Sequence, residues 1–204
     1  DLAVLEQLLQ EHRPPLYVIT SVLHNPTGAS LTAAKAFQVL RLAEQYGVTV
    51  VEDDIYADFC AAPAVRLAAL DQLHRVIYVG SFSKTVAANL RVGFIACERE
   101  LARELADRKL LAALTTPELG ERVIHQILAE GHYRKHLERL RARLAARREP
   151  VLAQLERLGL RVFIDPQGGM FAWMDAGRDS NALAARAYEQ RLLLAPGSLF
   201  SPSQ

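Results

Sequence analysis

A short run of chemically versatile residues, Ser81-Phe82-Ser83-Lys84, lies near the middle of the chain. It follows residues 76–79 and Gly80, and that apolar, β-branched run predicts a buried strand. Desolvation disfavours an ammonium ion, so a lysine just past such a strand can react as a neutral amine and form a Schiff base with a carbonyl. The position of Lys84 therefore suggests covalent chemistry.

The same stretch carries groups that could bind a phosphate. Ser81 and Ser83 offer hydroxyl donors, and Arg91 follows with a fork-shaped cation. A lysine beside a phosphate cradle suggests pyridoxal 5′-phosphate (PLP). The alternative is a strand that ends in a polar turn with a solvated lysine, and this stretch alone does not decide between the two.

Two other predicted strands also end in polar residues. Residues 16–20 predict a strand that leads to a loop at Asn25, and residues 48–51 predict a second strand without polar alternation. Ligands bind at the carboxyl ends of strands in parallel sheets. We therefore expect one site built from three segments, which carry Asn25, then Glu52-Asp53-Asp54 with Tyr56, then Lys84.

The elements that position these segments alternate between strand and helix, which predicts an α/β fold with a mostly parallel sheet and helices on both faces. Pro150 is expected to kink or interrupt a long helix over residues 133–158. The other predicted helices cover residues 2–10, 32–46, 67–73, 98–111, 118–130 and 181–190, and the other predicted strands cover residues 91–97, 161–164, 170–174 and 192–195.

Composition narrows the class of protein. The 204 residues carry a net charge of +1, and 50% are hydrophobic, which is typical of a globular chain. The nearly neutral charge favours neither a nucleic-acid nor a membrane partner. Cys60 and Cys97 lie too far apart for a redox or zinc motif, so we expect reduced thiols, no metal and a cytoplasmic location. No signal peptide or membrane span is predicted. The chain begins at Asp1 without methionine, and we expect it to be a piece of a longer protein.

Four segments in this order resemble the signature set of the fold type I PLP-dependent enzymes, the class I/II aminotransferases. They are Asn25-Pro26-Thr27-Gly28, Asp53 with Tyr56, Ser81-Phe82-Ser83-Lys84, and Arg91. The resemblance covers nearly the whole chain. It implies a domain that transfers an amino group between an amino acid and a 2-oxo acid, with residues 1–135 as the C-terminal portion of a large PLP-binding domain and residues 136–204 as an incomplete small C-terminal domain.

The resemblance also implies a role for each residue. Lys84 would hold PLP as a Schiff base and then act as the base that moves a proton. Asp53 would pair with the pyridine nitrogen, and Asn25 and Tyr56 would hydrogen-bond the phenolate oxygen of the cofactor. The phosphate would be held by Ser81, Ser83 and Arg91.

Some assignments have alternatives. By composition alone Glu52, Asp53 or Asp54 could be the pyridine partner, and the spacing to Tyr56 favours Asp53. Asn25 could be only a turn former, and one of the two serine hydroxyls could only cap the turn. His24 could line the site, although a packed structural histidine is the simpler interpretation.

Three other sequence segments resemble the MocR group, which are bacterial regulators that join a GntR-type DNA-binding domain to an aminotransferase-like domain. They are residues 24–31, 131–137 and 195–200. This resemblance implies an alternative function, a PLP-binding sensor of an amine effector with little or no full turnover. In that group DNA would be contacted only through a domain outside this chain. The fold type I resemblance implies a homodimer, because a second subunit completes the site in that fold. Because the substrate-carboxylate arginine of the family would lie beyond this chain, no arginine is assigned that role.

Overall fold

The structure, a computed structural model, describes residues 1–60 and 63–201, and its main elements are strands and α-helices that alternate in the first half of the chain. The strands are β1 Leu16–Ile19, β2 Thr49–Asp53, β3 Val76–Ser81 and β4 Gly93–Ala96. The α-helices are α1 Leu2–His12, α2 Ala33–Tyr46, α3 Leu67–Asp71, α4 Arg99–Ala113, α5 Glu118–Ala129, α6 His132–Arg157 and α7 Ser180–Glu189.

The four strands form one sheet in the order β1-β2-β3-β4. The first three are parallel, and β4 is antiparallel to β3. A parallel neighbour needs a long crossover, usually through a helix, whereas residues 82–92 between β3 and β4 contain only a short 3₁₀ helix at Ala88–Leu90. The mostly parallel α/β fold predicted from the sequence is confirmed.

One face of the sheet packs against α2 and α3, and we call it the helix face. Val50 and Val76 lie in its centre and are almost completely buried against Ala36 and Val39 of α2 and Leu67 of α3. Each buried side chain of this size contributes about 1.5–3 kcal/mol through its removal from water. The side chains of the helix face are Tyr17, Ile19, Val50, Glu52, Val76 and Tyr78.

The opposite face consists of the alternate residues of the same strands, and we call it the open face. Its apolar side chains are less well covered, since Val18 is 66% exposed and Ile95 is 52% exposed. Helices were predicted on both faces, and within the described residues their coverage is unequal. The side chains of the open face include Val18, Val51, Asp53, Ile77, Val79, Ser81 and Ile95.

The helix ends follow local sequence signals. The Thr32 hydroxyl accepts a hydrogen bond from the Lys35 N–H at the start of α2, and Gly47 ends that helix in the left-handed conformation. Pro150 lies inside α6 and does not interrupt it, and the alternative expectation of a kink stays a prediction. Proline removes one backbone donor, and the turns on both sides continue the helix. No helix within residues 1–60 and 63–201 is long and apolar enough to cross a membrane.

The C-terminal part contains less strand than we predicted. The strands expected over residues 161–164, 170–174 and 192–195 are wrong. An isolated bridge joins Val162 to Met174, and another joins Cys60 to Gly168. Within the described residues, the pairing of these segments is limited to the two bridges, so no ladder forms. The domain boundary at 135/136 stays a prediction, and α6 runs across it without a break.

Candidate functional site

The carboxyl ends of β1, β2 and β3 lie at the same edge of the sheet, because these strands are parallel neighbours. Asp53, the last residue of β2, lies opposite Val79 of β3. Ser81 follows two residues later on the same face, at the end of β3. The three predicted strands thus end at one edge of the sheet, and the assignment of the polar segments that follow them to a single site stays a prediction.

Glu52 is one of three consecutive carboxylates at this edge, and its contacts are structural. Its side chain is completely buried on the helix face. The two carboxylate oxygens accept 2.8 Å hydrogen bonds from the backbone N–H groups of Leu67 and Ala68, at the beginning of α3. Ser21 also donates its hydroxyl to Glu52. Glu52 therefore caps α3 and joins it to β2.

Asp54 is also directed toward the side of the sheet that α3 covers. The Arg66 Nε donates to its Oδ2 at 2.6 Å, and the Tyr78 hydroxyl donates to the same oxygen. Burial raises the pKa of Asp54, and the hydrogen bonds from Arg66 and Tyr78 oppose that rise. These partners account for Asp54 as part of the fold.

Asp53 differs from both neighbours, since it lies on the open face. Within the described residues, the hydrogen bond to its side chain comes from the Ile55 N–H, at 3.2 Å from Oδ1. The negative charge of Asp53 also acts on Tyr56 and raises the pKa of that phenol. Among the three carboxylates, Asp53 is thus the one whose side chain is left at the carboxyl edge of the sheet.

Tyr56 and Asn25 come together from different segments. The pKa of the buried Tyr56 is raised, first by burial and then by the charge of Asp53. A hydrogen bond from the Asn25 side chain opposes this rise. The ring of Phe171 meets the Tyr56 ring edge to face, with centroids 5.0 Å apart. Phe171 was not singled out in the sequence, and its position just after Gly168-Gly169 was the available signal.

The loop that carries Asn25 is closed by its own hydrogen bonds. The Gly28 N–H donates to the His24 carbonyl at 2.7 Å, and His24 Nδ1 lies 2.9 Å from the Thr27 hydroxyl. Burial lowers the pKa of His24. The Asn25–Pro26 peptide bond is cis. These contacts assign His24 to the support of the loop, in agreement with the structural interpretation.

The predicted phosphate donors lie next to one another after β3. The Ser83 N–H donates to the Ser81 hydroxyl oxygen at 3.1 Å. That hydroxyl lies 3.4 Å from the carbonyl oxygen of Val92, the residue after Arg91. Arg91 is exposed, and its Nη1 has a long 3.4 Å contact with the Ala88 carbonyl.

Lys84 does not have the desolvated environment that the sequence suggested. Its side chain is exposed among the described residues. The reason is local: β3 ends at Ser81, and the chain then turns, so that Lys84 faces outward while the next residue, Thr85, is buried. The amine is consequently accessible from solvent.

The loop that carries Asn25 forms part of the wall of an open cleft of about 860 Å³. Asn25, Pro26, Phe171 and Trp173 are among the residues that line it. Its volume is within the range typical of small-molecule sites. The cleft thus places open space beside Asn25.

Comparisons with known proteins place this fold and site in one class. The structure is similar to a kynurenine aminotransferase of Pyrococcus horikoshii, with a TM-score of 0.90 and 29% identity over 98% of this chain and 52% of that chain. It is equally similar to the α-aminoadipate aminotransferase LysN of Thermus thermophilus, with a TM-score of 0.90 and 32% identity over 98% of this chain and 54% of that chain. The fold is that of the fold type I aminotransferases.

Residues 1–202 match the family described as aminotransferase class I and II, and the chain belongs to this family. It is 35% identical to a 2-aminoadipate transaminase of Thermus thermophilus, over 98% of this chain and 52% of the relative. It is also 30% identical to the HTH-type transcriptional regulator NorG of Staphylococcus aureus, over 89% of this chain and 42% of the relative. The chain spans about half the length or less of these curated relatives.

Proposed function

We propose that this domain binds PLP and that the protein transfers an amino group between an amino acid and a 2-oxo acid. The observation that carries the proposal is that Tyr56 interacts with both Asn25 and Asp53 at the edge of the sheet where β3 also ends, just before the turn that contains Lys84. Family membership supports the same function. Two of the similar structures were solved with PMP or with N-(5′-phosphopyridoxyl)-L-leucine, which are derivatives of this cofactor.

The donor set fits the chemical groups of PLP. An anionic carboxylate such as Asp53 keeps a neighbouring pyridine nitrogen protonated, because opposite charges favour the charged forms of both groups. Asn25 and Tyr56 supply an N–H and an O–H for the phenolate oxygen. For the phosphate the chain supplies the hydroxyls of Ser81 and Ser83 and the guanidinium of Arg91.

PLP held in this way supplies an electron sink next to the reacting carbon. Lys84 provides the amine that attaches the cofactor and, once released, the base that moves the proton at the amino acid Cα. Its exposed side chain is accessible to the cofactor aldehyde. Tyr56 remains a donor at neutral pH, since its burial and the charge of Asp53 raise the pKa of its hydroxyl.

The assignment of Lys84 is tested by borohydride reduction of the PLP-loaded protein, followed by peptide mapping. We expect the label on Lys84, and Lys84→Ala should abolish the reducible linkage. Lys35→Ala is the matched control, because Lys35 is also exposed and lies on α2, and it should keep full labelling. A reducible linkage that persists in Lys84→Ala would show that another amine holds the cofactor.

A second function is favoured by the 30% identity to the regulator NorG. In that case the domain would bind an amine or amino-acid effector through the same residues, with little or no full turnover, and DNA would be bound by a domain outside this chain. Adding a panel of amino acids to the PLP-loaded protein separates the two. Conversion to the pyridoxamine form, reversed by a 2-oxo acid, indicates a transaminase, whereas a spectral change that stops before that form indicates a sensor.

The relatives support binding of a substrate or effector in general. We further propose that the protein is a homodimer, that it is located in the cytoplasm, and that its two domains divide at residues 135/136. Size-exclusion chromatography with light scattering tests the first of these. A protein that remains monomeric at micromolar concentration would contradict it.

A further inference from the structure

Tyr133, near the start of α6, contacts both ends of the turn that contains Lys84. Its ring meets the Phe82 ring edge to face, with centroids 5.7 Å apart. Its hydroxyl lies 3.0 Å from the hydroxyl of Thr85. Phe82 and Thr85 are the residues on either side of the Ser83-Lys84 pair, so a single side chain contacts both ends of this turn.

The same hydroxyl joins the turn to the segment that carries Tyr56. It donates to Asp58 Oδ2 at 2.6 Å. Because Tyr133 has one hydroxyl proton, and that proton goes to the carboxylate, the Thr85 hydroxyl donates to the Tyr133 oxygen. Burial and the hydrogen bond to Asp58 raise the pKa of Tyr133, so the donor is retained across the physiological pH range.

Two further side chains of α6 strengthen the attachment. His136 Nε2 lies 2.7 Å from the Thr85 carbonyl and donates to it. Arg141 Nε donates to the Asp58 carbonyl at 2.7 Å. Thr85 is 3% exposed, so its side chain and its carbonyl are both fixed in the interior next to the exposed Lys84.

We propose that Tyr133 is a positioning residue that fixes the Lys84 turn relative to the Tyr56 segment, an inference that rests on the proposed function of Lys84. The ring restrains the turn at Phe82, and the hydroxyl restrains it at Thr85 and connects it to Asp58. Displacement of a reacting group by about 1 Å can lower a rate by up to about 100-fold. The hydroxyl of Tyr133 therefore affects the reactivity of Lys84 without contact with the cofactor.

The test compares Tyr133→Phe with the wild-type protein. The variant keeps the ring contact and loses both hydrogen bonds. In the cofactor-free protein we expect amide hydrogen exchange of Val86 and Ala87, whose N–H groups donate to the Phe82 carbonyl, to rise about tenfold. In the PLP-loaded protein we expect kcat to fall about tenfold with KM changed less than about twofold, and attachment at Lys84 to slow similarly.

Tyr188→Phe is the matched control, because Tyr188 is 71% exposed on α7 and its loss should leave all three readouts unchanged. Thr85→Val and Thr85→Ser form a second pair that removes or keeps the hydroxyl, and we expect the serine variant to restore the wild-type exchange and attachment rates. If Tyr133→Phe lowers only the melting temperature, while exchange and attachment match the wild type, the positioning role is overturned. An absence of any label on Lys84 in the wild-type protein would overturn the proposed function itself.

Discussion

The helix face and the open face are formed by alternate residues of the same strands, and they differ in what their polar groups do. On the helix face, Glu52 is buried and its carboxylate accepts three hydrogen bonds from the rest of the fold. On the open face, Asp53 and Ser81 lie at the edge of the sheet beside exposed apolar residues. The polar groups of the helix face thus stabilise the fold, whereas those of the open face are available to bind a ligand.

The end of β2 shows the difference within three residues. Glu52 accepts hydrogen bonds from α3, and Asp54 accepts them from Arg66 and from Tyr78 of β3. Within the described residues, the Asp53 side chain accepts a hydrogen bond from the nearby Ile55 N–H alone. We therefore expect mutations of the first two to affect folding and mutation of Asp53 to affect chemistry.

Glu52→Ala should have the largest effect on stability. It leaves the buried N–H groups of Leu67 and Ala68 and the Ser21 hydroxyl without their acceptor, and we expect a loss of about 3–5 kcal/mol in the free energy of unfolding. Urea unfolding followed by circular dichroism measures it. A loss below about 1 kcal/mol would mean that the helix face does not depend on this carboxylate.

Asp53→Asn should have the opposite profile. The side chain keeps its size and its place on the open face, so the free energy of unfolding should change by less than about 0.5 kcal/mol. The loss of a charge beside the cofactor ring should lower kcat by about 100- to 1,000-fold. Steady-state kinetics measures kcat, and urea unfolding of the same preparation measures the free energy of unfolding. An unchanged kcat would show that Asp53 is not part of the site.

Tyr78→Phe should cost about 1–2 kcal/mol, because Asp54 loses one of its two hydrogen-bonding partners. The pKa of Asp54 is raised in the folded protein, so its contribution to stability is fully present below its unfolded pKa and is lost as the pH rises through the folded pKa. Loss of Tyr78 raises that pKa further. The destabilisation should thus be larger near pH 7 than near pH 4, and equal losses at both would contradict this account.

His24→Gln should give the smallest effect, in the loop at the edge of the sheet. Burial lowers the pKa of His24, so its contribution to stability is present above the unfolded pKa and is lost as the pH falls through the folded pKa. Between about pH 7 and pH 5 the wild type should lose slightly more stability than the variant, by no more than about 2 °C in Tm. Calorimetry with His125→Gln, on the separate helix α5, as the control would show whether the pH dependence belongs to this loop.

Much of the fold could be predicted because its signals are local. Thr32 and Gly47 mark the ends of α2, and the apolar runs of β2 and β3 are short and β-branched. The strands predicted after residue 160 failed for a non-local reason: a strand requires a partner along its length, and there the pairing is limited to isolated bridges at Val162 and Gly168. Periodicity alone does not reveal whether that partner is present.

For the candidate site, the sequence by itself determined which residue types end each strand and in what order, because strand ends and turns are set by neighbouring residues. Only the tertiary structure decided which of three adjacent carboxylates lies on the open face, since that depends on the pairing of β2 with β3 and on the position of α3. It also decided that Lys84 is exposed and that Tyr133, almost fifty residues away, contacts its turn. Contacts between distant segments arise from packing, and no local pattern encodes them.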